Sequence, residues 1–170
     1  LLKTHFSTAE RLDFYPRLKE IISSLKIQSI LDIGCGLNPI ALASQSIKYS
    51  ALDIKEDDLF LVDKFFNENN INGEIIVSDI RKLPKLPEAD LCLIFKTLDI
   101  IEKKQHKIAF SLIEKLNCKY LLISFATKTL SGKPMKLARR YWLENFLSSK
   151  NYSYKTFFSN NEIFYLMKKI

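Results

Sequence analysis

Apolar and polar residues alternate along the chain in blocks that predict a regular succession of helices and strands. Near the start, apolar residues recur every three or four positions from Ser7 to Leu25, which predicts an amphipathic helix with Ser7 or Thr8 as its N-cap. Pro16 lacks a backbone N–H, so we expect this helix to be kinked or split there. From residue 28 onward, short apolar runs of strand length alternate with longer segments of helical periodicity.

Between residues 28 and 149 the predicted strands and helices follow one another singly. The strands are expected at 28–33, 49–53, 75–79, 91–95 and 120–124. The helices are expected at about 39–45, 57–70, 100–116 and 135–149. Strands that alternate with helices in this way build a parallel sheet, and the unbroken apolar run at 91–95 is typical of a strand buried on both faces.

The C-terminal part breaks the alternation. Two strands, 152–158 and 163–167, are separated by a short polar link, 159–162. Such a link permits an antiparallel hairpin but is too short for a parallel crossover. The sequence therefore predicts an α/β fold: a Rossmann-like, seven-stranded, mostly parallel sheet with a C-terminal antiparallel hairpin. This is the plan of class I S-adenosylmethionine methyltransferases.

A glycine turn after the first strand is the strongest sign of a binding site. Gly34 and Gly36 allow a tight turn and a close approach of the backbone to a ligand. Pro39 stands where the dinucleotide fingerprint has its third glycine, so a pyrophosphate has a poor cradle and an amino acid joined to a nucleoside fits better. Asp53, which ends the second strand, is placed to accept hydrogen bonds from ribose hydroxyls.

Composition narrows the class of protein. With 170 residues, 47% of them hydrophobic and 26% charged, the chain is expected to be one globular domain. No apolar run reaches the roughly 20 residues of a membrane span, and the charged N-terminus is unlike a signal peptide. The three cysteines are scattered without metal-ligand spacing, so we expect a reduced, cytoplasmic compartment, no metal site and no membrane association.

The net charge of +7 is concentrated in the last third of the chain. Residues 1–110 carry 15 basic and 16 acidic residues, whereas residues 111–170 carry 11 and 3. Seven basic residues follow one another with no carboxylate between them: Lys115, Lys119, Lys128, Lys133, Lys136, Arg139 and Arg140. A charge run is commonly only a solvated surface, but the missing acids favour a polyanionic partner.

Five motifs in order point to a family. They are His5–Arg11, Gly34–Pro39, Phe95–Leu98, Ser124–Gly132 and Asn161–Leu166. With them the sequence resembles the aminoglycoside-resistance methyltransferases that act on guanine N7 in the decoding centre of small-subunit ribosomal RNA. Those enzymes have a larger helical N-terminal domain, most of which is not in this sequence, and proline where Asp99 stands.

The resemblance implies a domain plan, a cofactor and a partner. Residues 1–26 are expected to form a helical segment that covers the cofactor, and residues 27–170 the methyltransferase domain. S-adenosylmethionine is the implied cofactor, and the small ribosomal subunit or its RNA is the implied partner of what we expect to be a monomer.

The same resemblance assigns cofactor contacts. His5, Phe6 and Ser7 are expected to cover the methionine end, while Arg11 pairs with its carboxylate in a bidentate fork. The remaining expected contacts come from the turn and the strand ends, and one from the helix after the fourth strand: Gly34, Gly36, Asp53, Asp79, Ile80, Phe95 and, in that helix, Lys104. Asp79 is expected at the adenine amino group with Ile80 on the ring, although a turn cap fits Asp79 nearly as well. Asp32 fits a structural role in the loop or a direct contact.

On the substrate side, the sequence lacks two motifs after the fourth strand. It has neither the Pro-Pro motif of exocyclic-amine methyltransferases nor the Pro-Cys pair that attacks pyrimidine C6. Guanine N7 carries a free lone pair, so direct attack needs no general base and catalysis rests on positioning. Lys96 is expected at a phosphate or at guanine O6, or else as a strand-end lysine in solvent. Lys128, Lys133 and Arg139 are expected to contact phosphates together with Lys136 and Arg140, although on a helix only one of the two arginines would face RNA.

Two other functions stay open from the residues alone. One is a class I methyltransferase for another RNA or a small molecule, and the other is a cofactor-binding RNA module without catalysis.

Overall fold

The computed structural model describes residues 2, 6–101, 105–129 and 131–169 and contains one seven-stranded sheet. Its strands are β1 Ser29–Ile33, β2 Lys48–Asp53, β3 Gly73–Val77, β4 Ala89–Phe95, β5 Cys118–Ala126, β6 Ser153–Phe158 and β7 Glu162–Lys168. Their order is β3-β2-β1-β4-β5-β7-β6, and only β7 runs antiparallel to its neighbours β5 and β6. The predicted fold class is confirmed, including the C-terminal hairpin.

Helices cover both faces of the sheet. They are α1 Phe6–Ala9, α2 Tyr15–Ser24, α3 Asn38–Leu42, α4 Glu56–Glu68, α5 Leu98–Ile101, α6 Lys107–Lys115 and α7 Tyr141–Ser149. Apolar residues of α2, α3 and α4 belong to one buried cluster, and those of α5, α6 and α7 belong to a second. Successive residues of β4 alternate between the two clusters, as the period of a strand buried on both faces requires.

The N-terminal helix is split, as Pro16 predicted. Helix α1 is followed by a single 3-10 turn, Leu12–Phe14, and Pro16 lies in the first turn of α2, where a missing N–H costs no hydrogen bond. The predicted cap is wrong, because α1 begins at Phe6 and Ser7 and Thr8 lie inside it. Leu18 and Ile22 of α2 are buried in the sheet core.

Two predicted helices are shorter in the structure than in the sequence pattern. The segment 100–116 contains the end of α5 and all of α6, and His106 before α6 has a left-handed φ of 55° that ends any continuous helix. The segment 135–149 becomes helical only at Tyr141. Before it the chain folds back on the end of β5, since the N–H of Met135 donates to the carbonyl of Thr127 (2.8 Å).

The strand order creates one crevice at the carboxyl edge of the sheet. The chain moves outward from β1 to β2 and β3, then returns to place β4 on the other side of β1. Ligands of open α/β sheets bind outside the strand ends at such a switch point. Among the described residues, no helix is long and apolar enough to cross a membrane.

Candidate active site

A cavity of about 650 Å³ lies at the carboxyl ends of β1, β2 and β4, within the usual range for small-molecule sites. Most of the residues predicted from the sequence lie on its wall. They are Gly34, Gly36, Asp53, Asp79, Ile80, Phe95, Lys96 and Lys128. The strand ends bring these residues together from positions almost 100 apart in the sequence, as a parallel sheet does.

The glycine turn is fixed to strand β2 by its own backbone. The N–H of Gly34 donates to the carbonyl of Leu52 (2.8 Å), and the N–H of Gly36 donates to Oδ2 of Asp53 (2.9 Å). Gly34 has a φ of 66°, and a Cβ there would stand 2.5 Å from Oγ1 of Thr97. Glycine is therefore required at 34 by backbone conformation and by space. Because these N–H groups bond within the protein, the turn has little left to offer a pyrophosphate.

Asp53 is buried at the cavity wall and organised by backbone donors. Besides Gly36, its carboxylate accepts hydrogen bonds from the N–H groups of Ile54 (2.7 Å) and Lys55 (3.1 Å). A carboxylate has about four acceptor sites, so capacity remains for a hydroxyl on the cavity side. The side chain predicted to hold a ribose thus also fixes the glycine turn, a second role that the sequence did not reveal.

Asp79 caps a turn at the cavity wall. Its Oδ1 accepts the N–H of Arg81 (3.0 Å) at the start of the 3-10 turn Ile80–Lys82, and the Arg81 guanidinium binds both of its oxygens. Hydrogen bonding from Arg81 lowers the pKa of Asp79 to about 2. The alternative of a turn cap is therefore what the structure shows. Ile80, buried beside it, keeps the position predicted against an adenine ring, and that contact stays a prediction.

Arg11 makes a bidentate fork, but with a different partner from the predicted one. Its Nε and Nη2 donate to the two carboxylate oxygens of Glu162 (3.0 Å each), and Nη1 donates to Oδ1 of Asn38 (2.6 Å). The guanidinium stacks over Phe95, 4.7 Å from the ring centroid. Because a buried cation needs a buried anion, Glu162 pairs with Arg11 here, and the predicted fork to the cofactor carboxylate stays a prediction.

Glu162 is the functional neighbour that sequence reasoning missed. It is fully buried at the start of β7 and also accepts the hydroxyl of Ser124 (2.6 Å). Arg11 and Ser124 are 151 and 38 positions away in sequence. The one sequence feature that could have indicated Glu162 was its place in the fifth motif, Asn161–Leu166, but no role was assigned to any residue of that motif.

Lys96 is held by carboxylates, which argues against the alternative of a lysine in solvent, while its predicted contact with a phosphate or guanine O6 stays a prediction. Its ammonium pairs with Glu10 and lies 3.7 Å from Oε1 of Glu162, and the side chain is only 16% exposed. The lysine therefore neither reaches into solvent nor presents an unpaired charge to a phosphate. Its backbone has a φ of 54°, which turns the chain sharply after β4 and aims the side chain at the N-terminal segment.

The basic residues after β5 separate into free lysines and paired arginines. Lys128, Lys133 and Lys136 are exposed and form no ion pair with the part of the chain that the structure describes. Arg139 is paired, because its guanidinium binds the Glu144 carboxylate through Nε (2.8 Å) and Nη2 (2.9 Å), and its predicted phosphate contact stays a prediction. The expectation for a helix failed here because residue 139 precedes α7, and the first acid beyond the basic run supplies its partner.

Arg140 is also paired and lies largely buried. Its Nη2 donates to Oδ2 of Asp99 (2.7 Å) and to the carbonyl of Ala126 (3.1 Å), and its guanidinium lies 5.0 Å from the ring centroid of Phe125. Asp99 and Ala126 line the cavity. Arg140 thus joins α5 to the segment that follows β5, and its guanidinium is bonded within the protein rather than presented to a phosphate in solvent.

For four predicted cofactor contacts the structure describes no side chain. His5 and Lys104 lie outside the described residues. For Phe6 and Ser7 the structure gives the backbone only, as part of α1. Their predicted contacts with the cofactor stay predictions.

Asp32 does not line the cavity, and its side chain is bonded within the protein core. It is fully buried, and Oδ2 accepts the hydroxyl of Tyr49 (2.8 Å). Burial raises the pKa of Asp32 to about 7. Of the two roles considered for it, the one within the loop agrees with this geometry.

The cavity suits an amino acid joined to a nucleoside. Its wall combines the buried Asp53 carboxylate with apolar surface from Ile80 and Phe95. Asn161 adds a carboxamide whose buried Oδ1 has no hydrogen-bond partner among the described residues. A buried acceptor without a partner is costly, and a donor group on a bound molecule would satisfy it.

The chain is similar to proteins that modify ribosomal RNA. Residues 1–165 match the family model described as "Ribosomal RNA methyltransferase (FmrO)". A 16S rRNA (guanine(1405)-N(7))-methyltransferase of Serratia marcescens is 31% identical over 99% of this chain, and one of Frankia casuarinae is 23% identical over 99%. The chain spans 68% and 62% of the lengths of these two relatives, and 53% of a Proteus mirabilis relative.

Solved structures agree with the sequence matches. The structure of the 16S rRNA methyltransferase RmtF in complex with S-adenosyl-L-homocysteine superimposes with a TM-score of 0.86 at 26% identity. It is covered over 67% of its length by 99% of this chain. The 16S rRNA methylase RmtB gives a TM-score of 0.82 at 29% identity, with the same two coverages.

Proposed function

The chain belongs to the FmrO family of ribosomal RNA methyltransferases, and we propose that it transfers a methyl group from S-adenosylmethionine to N7 of a guanine in small-subunit ribosomal RNA. The relatives named for this reaction are longer than this chain, so the activity is proposed for the residues present here. With a ribosomal substrate, the proposed site of the reaction is the cytoplasm.

The cavity at the ends of β1, β2 and β4 is the observation that carries the proposal. It joins the glycine turn, the buried carboxylate of Asp53 and the apolar surface of Ile80 in one site. We assign Asp53 to the ribose hydroxyls, Ile80 to the adenine ring, and the backbone at Gly34 and Gly36 to the amino-acid end. When bound, the cofactor supplies an electrophilic methyl group on a sulfonium.

The residues of the chain would then act by binding and positioning. Guanine N7 has a lone pair and no proton, so no side chain needs to accept a proton. Phe95 ends β4 at the cavity wall, and its buried ring excludes water from the end of that strand. An in-line arrangement without a competing water is worth several orders of magnitude in rate for a displacement of this kind.

The N-terminal segment is proposed to cover the cofactor. Glu10 lines the cavity, and its carboxylate pairs with the ammonium of Lys96, the residue after β4. Residues 1–26 would therefore close one side of the site, while residues 27–170 supply the sheet and the remaining walls.

Methyl transfer from labelled cofactor tests the proposal. The protein is incubated with labelled S-adenosylmethionine and, separately, with free small subunits, intact ribosomes, naked RNA and a metabolite extract. We expect label in RNA, recovered as 7-methylguanine after digestion. Label in the metabolite extract alone would indicate a small-molecule methyltransferase. Cofactor binding with no label anywhere would indicate a non-catalytic module.

A further inference from the structure

Three large apolar side chains that face solvent belong to residues next to or bonded to one ion pair, Arg140–Asp99, whose Asp99 lines the cavity. Ile100, Leu137 and Tyr141 are 77%, 65% and 55% exposed, and Ile100 also lines the cavity. One exposed apolar residue is ordinary on a protein surface, but several at one place mark an interaction site.

The ion pair between Arg140 and Asp99 brings the three residues together from two parts of the chain. Nη2 of Arg140 donates to Oδ2 of Asp99 (2.7 Å), and Nη1 donates to the carbonyl of Leu137 (3.2 Å). Ile100 follows Asp99 in the chain and Tyr141 follows Arg140, so each apolar residue is within one residue of the pair or bonded to it. The side chain of Arg140 is only 12% exposed, so the arginine itself contributes little to the exposed surface.

The charges beside this group indicate what covers it. Lys128, Lys133 and Lys136 lie on the same connection between β5 and α7, exposed and without an ion pair to any described residue. Sδ of Met135 is 4.0 Å from Nη2 of Arg140, so this connection reaches the ion pair directly. Apolar and aromatic surface beside free cations fits single-stranded RNA, whose bases stack while its phosphates meet the lysines.

We propose that Ile100, Leu137 and Tyr141 form a platform that contacts the unpaired nucleobases next to the methylated nucleotide. The Arg140–Asp99 ion pair holds the two halves of the platform together. This inference rests on the proposed function, because it requires RNA at the mouth of the cavity. The platform sets how tightly RNA binds, whereas the cofactor residues set whether the methyl group is delivered.

Alanine variants of the platform test this inference. Tyr141→Ala is expected to raise the KM for small subunits about 5- to 20-fold, the lower part of the range for a lost base-stacking contact, and Leu137→Ala should raise it by less because it removes an aliphatic contact. The kcat and the affinity for S-adenosylhomocysteine should stay within about twofold, since neither side chain lines the cavity. Tyr141→Phe keeps the ring and should keep the KM. The matched control is Phe60→Ala, which removes a 69% exposed ring from α4.

Salt dependence separates the platform from the lysines. Loss of an apolar contact should weaken RNA binding equally at each salt concentration and leave the slope of log K against log salt unchanged. If Tyr141→Ala and Leu137→Ala behave like Phe60→Ala in KM and in RNA binding, the platform is refuted. If the unaltered protein transfers no label to RNA, the proposed function fails instead, and filter binding of small-subunit RNA by the same variants still decides on the platform.

Discussion

Removal of the Glu162 carboxylate is expected to destabilise the fold more than loss of any surface ion pair. The Arg11 and Glu162 side chains are 2% and 0% exposed, so Glu162→Ala leaves a buried guanidinium without its anion. The hydroxyl of Ser124 loses its acceptor as well. Breaking a buried pair from one side costs about 3–5 kcal/mol, a large part of the roughly 5–15 kcal/mol that stabilises a domain.

Urea and thermal unfolding measure this cost. For a chain of this length, 1 kcal/mol shifts Tm by about 2–4 °C, so Glu162→Ala is expected to lower Tm by roughly 6–20 °C. Glu162→Gln keeps the shape and one hydrogen-bond acceptor and should lie between the two proteins. It also carries the measurement if the alanine variant does not accumulate as folded protein. The control is Glu20→Ala, whose partner Arg17 is 65% exposed, with an expected loss below about 1 kcal/mol.

A double-mutant cycle gives the result that would refute this reasoning. Arg11→Ala and Glu162→Ala should together cost clearly less than the sum of the single losses, because the second substitution removes the charge that the first left unpaired. Additive losses, or a Glu162→Ala protein within about 1 kcal/mol of the unaltered one, would mean that the pair does not hold the segment between α1 and α2 to β7.

Three further predictions concern the cofactor, the RNA surface and pH. Asp53→Ala should weaken S-adenosylhomocysteine binding by roughly 1.5–3 kcal/mol in calorimetry, whereas the exposed Asp57→Ala should not; equal affinities would contradict the ribose assignment. Lys133→Ala with Lys136→Ala should lower the salt slope of RNA binding by about two units without changing cofactor affinity, and an unchanged slope would mean a merely solvated surface. Burial raises the pKa of Asp32 from 3.8 to about 7, so between these values the folded protein keeps a proton that the unfolded chain has released. The free energy of unfolding should therefore fall by roughly 2–4 kcal/mol as pH rises across that window, and Asp32→Asn should flatten this fall in urea titrations; an identical pH profile would count against it.

The fold could be predicted because its determinants are local in sequence. Apolar runs of strand length and the short link at 159–162 define the parallel core and the hairpin without knowledge of distant contacts. The helix ends at 106 and 141 could not be predicted in the same way. They depend on a left-handed residue at His106 and on a backbone hydrogen bond from Met135 to Thr127, neither of which leaves a periodic pattern.

In the site, the sequence likewise predicted which residues line the cavity but not which charged side chains pair with each other. Gly34, Asp53 and Asp79 were placed at one cavity because the carboxyl ends of parallel strands meet at one edge. The partners of charged side chains were not predictable, since a sequence shows which charges exist and not which ones meet. The pairing of Arg11 with Glu162, which is 151 residues away, is an example.

The acid-free basic stretch from Lys115 to Arg140 is not one surface, which changes what RNA can contact. Lys119 lies near the start of β5, at the edge of the sheet opposite the cavity, since β5 runs parallel to β4. Arg139 and Arg140 are paired with Glu144 and Asp99. Near the cavity, the cations of the stretch without an ion pair to any described residue are then Lys128, Lys133 and Lys136, on the connection that leads from β5 to α7. Three phosphate contacts correspond to a salt slope of about −2 to −3, so this connection alone steers RNA only weakly.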